Sequence, residues 1–205
     1  GGLTRSLLQA GAEQVFAIEK DERFLAPLAD IQAAADGRLT VLNQDALQVD
    51  AAELSDTRPM RICANLPYNV GTKLLINWLT ANPLFWDRCV LMLQKEVAER
   101  VVARPGDKAY GRLAVLAGSV THGHIALDIP ASAFTPPPKV DSAVIVLDVL
   151  PQDKRFADLK LLGQVTAAAF GQRRKMLRKS LKQIAKAHKI DLENWLAHAS
   201  INPTD

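Results

Sequence analysis

The chain has 205 residues, 48% hydrophobic and 23% charged, with a formal net charge of +3, which is the composition of an ordinary globular protein with room for one good core and a second small one. No apolar run approaches the roughly 20 residues that a membrane helix needs, and no charged-then-apolar leader precedes the first helix. Two cysteines, Cys63 and Cys89, and four scattered histidines offer neither a disulfide framework nor a zinc pattern, so no metal is expected and two free thiols in a reducing cytoplasm are.

Taken in order, residues 1–10 form an amphipathic helix with Leu3, Leu7 and Leu8 on one face and a stop at Gly11. Residues 15–18 are a short buried strand that runs into Glu19. Residues 22–35 carry apolar positions at helical spacing and stop at Gly37. A second strand, 39–42, leads into Asn43-Gln44-Asp45. A third, 61–64, runs into Asn65, and 70–80 is helical. A fourth strand, 89–93, is followed by a helix over 96–103. Strands alternating with helices imply parallel βαβ units with helices on both faces of the sheet.

The pattern changes after residue 104. A loop precedes a short helix over 112–118, and 120–129 and 143–149 are strand-like. Between these strands lies Phe134-Thr135-Pro136-Pro137-Pro138, which no helix or central strand can hold, so the connection is a stiff extended loop and the sheet ends antiparallel. Residues 151–154 are a linker, and only helical periodicity follows. The expected organisation is a larger α/β domain over 1–152 and a small helical domain over 153–205. Charge divides along the chain as well. Residues 1–170 carry a net −2 and residues 171–205 a net +5, with all eight basic side chains of that tail between Arg173 and Lys189 and no acid among them. Such a block suits a polyanionic partner, although a solvated helix face is the commoner fate of a charge run.

Three features carry chemistry. Glu19 and Asp45 each follow a strand directly, where open parallel sheets bind ligands, and Gly1-Gly2 sits at a helix start. Each is also readable as an ordinary loop residue; together and in this order they suit a nucleoside-containing cofactor. Asn65-Leu66-Pro67-Tyr68 at a strand end reads equally as a plain turn with a packed tyrosine or as the feature that separates a dinucleotide from S-adenosylmethionine. Hydride transfer needs nothing of the kind, whereas methylation of an exocyclic amine does. The amine lone pair is conjugated with the ring; an amide oxygen and a backbone carbonyl that accept its two N–H bonds localise the lone pair. An aromatic ring can stack on the base, and proline fixes the turn. Phe134, carried by the proline loop, is either a second stacking surface or an anchor for that loop.

The sequence resembles the KsgA/RsmA family of rRNA adenine N6-dimethyltransferases, within the class I S-adenosylmethionine-dependent methyltransferases. The likeness rests on Ile18-Glu19-Lys20-Asp21, on Asp45, on Asn65-Leu66-Pro67-Tyr68-Asn69 and on Gln94-Lys95-Glu96-Val97-Ala98-Glu99-Arg100. It extends to Tyr110-Gly111-Arg112-Leu113, to the stretch from Phe134 to Ser142, and to the stretch from Phe170 to Leu181. It implies a Rossmann-like, mostly parallel sheet with an antiparallel finish. It also implies S-adenosylmethionine as methyl donor, two adjacent adenosines of a small-subunit rRNA loop as substrate, and an immature 30S particle as partner of a cytoplasmic monomer.

By that likeness Gly1, Gly2, Glu19, Asp45 and Asn65 touch the cofactor, with Glu19 on the ribose and Asp45 on the adenine. Asn65, with the Leu66 or Pro67 carbonyl, takes the target amine, and Tyr68 and Phe134 sandwich the target base. Arg173, Arg174, Lys175, Arg178, Lys179 and Lys182 bind RNA from one basic helix over 172–189. The family's glycine-rich signature and first strand would lie before Gly1, so the cofactor pocket is expected to be only partly encoded here, with poorer S-adenosylmethionine binding than the whole protein and an inactive chain as an open outcome. Rival readings are a large-subunit rRNA methyltransferase conferring antibiotic resistance, which shares the Asn-x-Pro-Tyr turn, and a non-catalytic ribosome-assembly factor.

Overall fold

The computed structural model describes residues 1–54, 56, 59–171 and 176–202, and the chain divides into two units, Gly1–Asp87 and Arg88–Asp205. The first unit runs α1 (Gly2–Gln9), β1 (Val15–Ile18), α2 (Leu25–Ala33), β2 (Leu39–Leu42), β3 (Met60–Asn65) and α3 (Gly71–Leu79). β1 and β2 pair in parallel, Val15 opposite Leu39 and Ile18 opposite Leu42, with α2 as the crossover between them. Leu8, Val15, Leu28, Ile31, Ala35 and Leu39 form the core under this pair. Gly11 (φ 91°) and Gly37 (φ 79°) are left-handed after α1 and α2, the conformation that ends a helix and that glycine adopts without a Cβ clash.

The helix expected from residue 22 starts differently. The Asp21 carboxylate accepts the Arg23 N–H at 3.0 Å, which closes a tight 3₁₀ turn over Glu22–Phe24 before α2 begins at Leu25. Pro27 then falls in the first turn of α2, where a missing N–H costs no helical bond. Arg38 ties the unit's start to its sheet, donating through Nη1 to the Leu8 and Ala12 carbonyls at 3.1 and 3.2 Å. Farther along, α3 buries Leu74, Leu75 and Leu79, and its end is closed by the Trp86 indole N–H, which donates to the Trp78 carbonyl at 3.0 Å.

The second unit continues β4 (Trp86–Gln94), which starts two residues before the border, and adds α4 (Lys95–Val102), α5 (Arg112–Gly118), β5 (Thr121–Ile129) and β6 (Ser142–Val149). β6 lies between two antiparallel neighbours, with Leu91 of β4 opposite Ile145 and His122 of β5 opposite Asp148. Cys89, Leu91, Ala143, Ile145 and Leu147 are fully buried, because alternate residues of β4 and β6 face the same core. Register shifts between Ile125 and Leu127 in β5, a bulge that turns Leu127 outward. A Cβ on Gly123 would lie 2.5 Å from Leu147 Cδ2, so a larger residue there needs that buried side chain to shift.

Residues 150–156 are not a free linker. Leu150 N–H donates to the Val120 carbonyl (2.9 Å), Phe156 N–H to the Ser119 carbonyl (2.9 Å) and Arg155 Nε to the Leu150 carbonyl (2.6 Å), which fastens the segment to the α5–β5 corner. Among the described residues there follow α6 (Leu159–Gly171), α7 (Leu177–Ser180), α8 (Lys182–Ala187) and α9 (Leu192–His198). The basic stretch is therefore not one helix. Residues 172–175 lie outside the described residues. Met176 is extended (φ −54°, ψ 141°), and α7 and α8 meet at Leu181. Ser180, at the end of α7, turns its hydroxyl back onto the Leu177 carbonyl at 3.2 Å, a local bond that competes with a straight helix. The border between the two units falls inside β4.

Candidate cofactor pocket and target-base turn

The carboxyl ends of β1 and β2 lie side by side, because Ile18 and Leu42 are register partners. Glu19 extends the ladder, its N–H donating to the Leu42 carbonyl at 2.9 Å, while Asp21 N–H donates to its Oε1 at 2.8 Å. The second carboxylate oxygen takes no hydrogen bond among the described residues. Asn43 fastens the two strand ends, its Nδ2 donating to the Glu19 carbonyl at 2.9 Å. Asp45 is half-buried and doubly held: Leu47 N–H donates to Oδ1 (3.0 Å) and Lys20 Nζ to Oδ2 (2.8 Å). The Lys20 hydrogen bond and then the Leu47 N–H lower the pKa of the Asp45 carboxyl from its ordinary value.

Lys20, Asn43, Gln44, Asp45 and Gln48 line a cleft of about 460 Å³ at these strand ends. Asp45 lines this cleft, whereas Glu19 stands at the neighbouring strand end outside its lining; two carboxylates pre-oriented by backbone N–H groups after adjacent parallel strands suit a ligand that presents hydroxyls and an amino group. Lys20 and Asn43 were not among the expected site residues. Their one signal in the sequence is position, each within two residues of a strand end. The two glycines divide: a Cβ on Gly1 would come within 2.8 Å of Ile31 Cδ1, so its smallness serves contact with α2, and Gly2 has open space around it.

Asn65 ends β3 with an exposed side chain, Leu66 is 6% exposed and anchors the turn, and Pro67 and Tyr68 are exposed, Tyr68 by 43%. The turn passes directly into α3. Val70 and Gly71 N–H groups both donate to the Pro67 carbonyl, at 3.2 and 2.9 Å, which fills that oxygen. The Asn65 side-chain amide and the Leu66 carbonyl accept nothing among the described residues. Of the two carbonyls left open by the sequence, Leu66 is thus the one available to a ligand.

In the second unit, Phe134 is half-buried and extended (φ −113°, ψ 151°) behind a 3₁₀ turn over Ala131–Ala133. Asp141 staples its loop, accepting Ala131 N–H on Oδ1 at 2.9 Å while its carbonyl accepts Lys95 N–H at 2.9 Å. Arg178 and Lys179 on α7 and Lys182 on α8 are exposed, and Leu181 and Ala185 are buried beneath them. Arg173, Arg174 and Lys175 lie outside the described residues. Among the described residues no cluster of His, Cys, Asp or Glu could hold a metal ion, and no helix is long and apolar enough to cross a membrane.

A parallel βαβ pair with acidic strand ends, an Asn-Leu-Pro-Tyr turn after a further strand and an antiparallel finish define a Rossmann-like α/β fold of the methyltransferase class. The comparisons narrow this. The chain belongs to the ribosomal RNA adenine dimethylase family, whose pattern it matches over residues 1–202. Ribosomal RNA small subunit methyltransferase A of Maricaulis maris is 55% identical over 206 residues, covering all of this chain and 71% of that protein. The protein of the same name from Cereibacter sphaeroides (strain ATCC 17029) is 56% identical over 205 residues, covering all of this chain and 72% of its own length. The crystal structure of a dimethyladenosine transferase from Plasmodium falciparum superposes with a TM-score of 0.77 at 26% identity, over all of this chain and 73% of that one. That of the 23S rRNA methyltransferase ErmE gives 0.73 at 22% identity, over all of this chain and 80% of that one, a likeness of fold alone.

Proposed function

We propose that this protein dimethylates N6 of two adjacent adenosines in a loop of small-subunit rRNA, with S-adenosylmethionine as methyl donor, during assembly of the 30S particle in the cytoplasm. The observation that carries the proposal is the pair of unengaged acceptors, the Asn65 amide oxygen and the Leu66 carbonyl, at a strand end beside the exposed ring of Tyr68. An adenine amine offers two N–H donors; accepting both draws its lone pair out of conjugation. Tyr68 stacks on the base, and Phe134 on its pinned loop offers a further stacking face. When bound, S-adenosylmethionine supplies an electrophilic methyl group. Glu19 takes its ribose hydroxyls, and Asp45, next to the Asn43-braced strand ends, its adenine amino group. Positioning and fixed dipoles do the work: each N–C bond gained would match one sulfonium C–S bond broken, and the methylated, positively charged N6 readily loses its displaced proton to water, so no strong general base is required.

Residues 1–152 carry the chemistry in this reading and residues 153–205 face the RNA, with Arg178, Lys179 and Lys182, and Arg173, Arg174 and Lys175 before them, on its phosphates. Relatives at 55–56% identity bear the name of small-subunit methyltransferases, which favours that subunit over the large one. The test is methyl incorporation into immature small-subunit particles and, in parallel, into large-subunit RNA. Incorporation confined to small-subunit adenines, lost in Asn65→Ala with cofactor binding kept, supports the proposal. Full activity of Asn65→Ala, or particle binding with no turnover by the wild type, sinks it.

A further inference from the structure

The second unit holds a hollow of about 620 Å³ that the proposed chemistry does not use. It lies between the end of α4, α5, β5 and the fastened segment 150–156. Apolar side chains, Val101, Val102, Ala114, Leu147 and Leu162 among them, make up part of its walls, and Tyr110, Ser119, Thr121 and His122 add polar groups. Its charged members are Arg104, Lys154 and Arg155 against a single acid, Asp153, so its rim is net positive. The volume falls within the range of small-ligand sites, and partly apolar walls under a cationic rim suit a flat ring that carries an anion.

Phe156 is the telling residue. It lines the hollow and is 49% exposed, yet its backbone is fixed by the bond from its N–H to the Ser119 carbonyl (2.9 Å). Its neighbour Arg155 is held by the 2.6 Å bond to Leu150. Tyr110, also in the lining, is already paired edge-on with Phe170 (5.9 Å between centroids, 66° between planes), whereas Phe156 makes no ring contact among the described residues. An exposed aromatic face on a stiff segment, flanked by basic side chains, is how proteins hold an unstacked base of single-stranded RNA.

We propose that this hollow binds one unpaired nucleotide of the substrate RNA, with Phe156 stacked on the base and Arg104 and Lys154 at its phosphates. The proposal rests on an RNA substrate but not on the target-base turn. It is tested on the full-length protein with a small-subunit rRNA fragment that carries 4-thiouridine at its unpaired positions. Photo-cross-linking maps the contact and equilibrium titration gives the affinity. The expected results are a cross-link within residues 154–156 and a loss of affinity of about tenfold in Phe156→Ala, the scale of one base–aromatic stack. Phe156→Tyr should bind as the wild type does, and S-adenosylhomocysteine affinity should be unchanged in both variants.

Three results overturn it: no cross-link in that segment, Phe156→Ala within twofold of wild type, or Phe156→Leu restoring affinity, which would make the ring mere cover for the apolar walls. Thermal melts of each variant separate loss of contact from loss of fold. A wild type that cross-links at residues 154–156 but transfers no methyl group leaves this site standing and removes the proposed reaction. A wild type that methylates, with Phe156→Ala binding normally, does the reverse.

Discussion

The Gly71 N–H donates to the Pro67 carbonyl at 2.9 Å, so the first turn of α3 is tied to the proline of the candidate site. The bond turns one carbonyl of Asn65-Leu66-Pro67-Tyr68 into helix and leaves the preceding one, on Leu66, open. It also makes the turn part of a packed element, since α3 buries Leu74, Leu75 and Leu79 behind it.

Asn65→Ala should therefore lower kcat for methyl transfer by about 10²- to 10³-fold, the scale of one lost pre-oriented polar contact to the reacting group. Cofactor affinity, measured by calorimetry with S-adenosylhomocysteine, should stay within a few-fold of wild type. Tyr68→Phe should keep most of the activity and Tyr68→Ala lose about tenfold or more, because a stacked ring needs its face and not its hydroxyl.

Lys20 already holds Asp45 Oδ2, so in the proposed reading it competes with the cofactor's amino group for that carboxylate. Removing the lysine as Lys20→Met is expected to tighten S-adenosylhomocysteine binding by about two- to fivefold at low salt, the size of an exposed ion pair, and the gain should fade in high salt. Asp45→Ala should weaken binding. An unchanged affinity in Asp45→Ala would remove Asp45 from the pocket.

Asp21 gives an acid signature. Its Arg23 partner lowers its pKa from an ordinary 3.8 to about 2. Because folding depresses this value, the stabilisation is fully present above the unfolded pKa and is lost as pH falls from about 4 toward 2. The melting temperature of Asp21→Asn should lie below wild type at neutral pH, and the two curves should converge near pH 2.

The exposed cations of α7 and α8 should act through salt. Each of Arg178→Ala, Lys179→Ala and Lys182→Ala is expected to weaken RNA binding across all sequences. Each should also flatten the log Kd against log salt slope by about 0.7 to 0.9 if that side chain meets a phosphate. A slope equal to wild type would leave that residue as a solvated surface charge.

Much of this architecture is legible in the sequence, and for physical reasons. β1, β2 and α5 fall where apolar runs are bounded by glycine, and the stops at Gly11 and Gly37 are left-handed as their positions require. Local bonds hide the rest. Asp21 bends the start of α2 into a 3₁₀ turn, and Ser180 interrupts a stretch whose periodicity alone suggests one helix. β4 starts at Trp86, three residues earlier than its apolar run suggests, because Asp87 and Arg88 are polar residues carried in a strand. In the site, Glu19, Asp45 and Asn65 are visible because each follows or ends a strand. The Lys20–Asp45 pair is not, since 25 residues separate its members and only the parallel register brings them together. Nor can a sequence show that α3 has already taken the Pro67 carbonyl.

Trp86 closes the end of α3 with its indole and is 2% exposed, the most deeply buried of the three tryptophans. The protein thus carries its own optical gauge of the element that anchors the candidate target-base turn. With Trp78 and Trp195 replaced by phenylalanine, the emission maximum of the remaining indole reports whether α3 is docked. A substrate that loosens the turn would register as a red shift long before the chain unfolds.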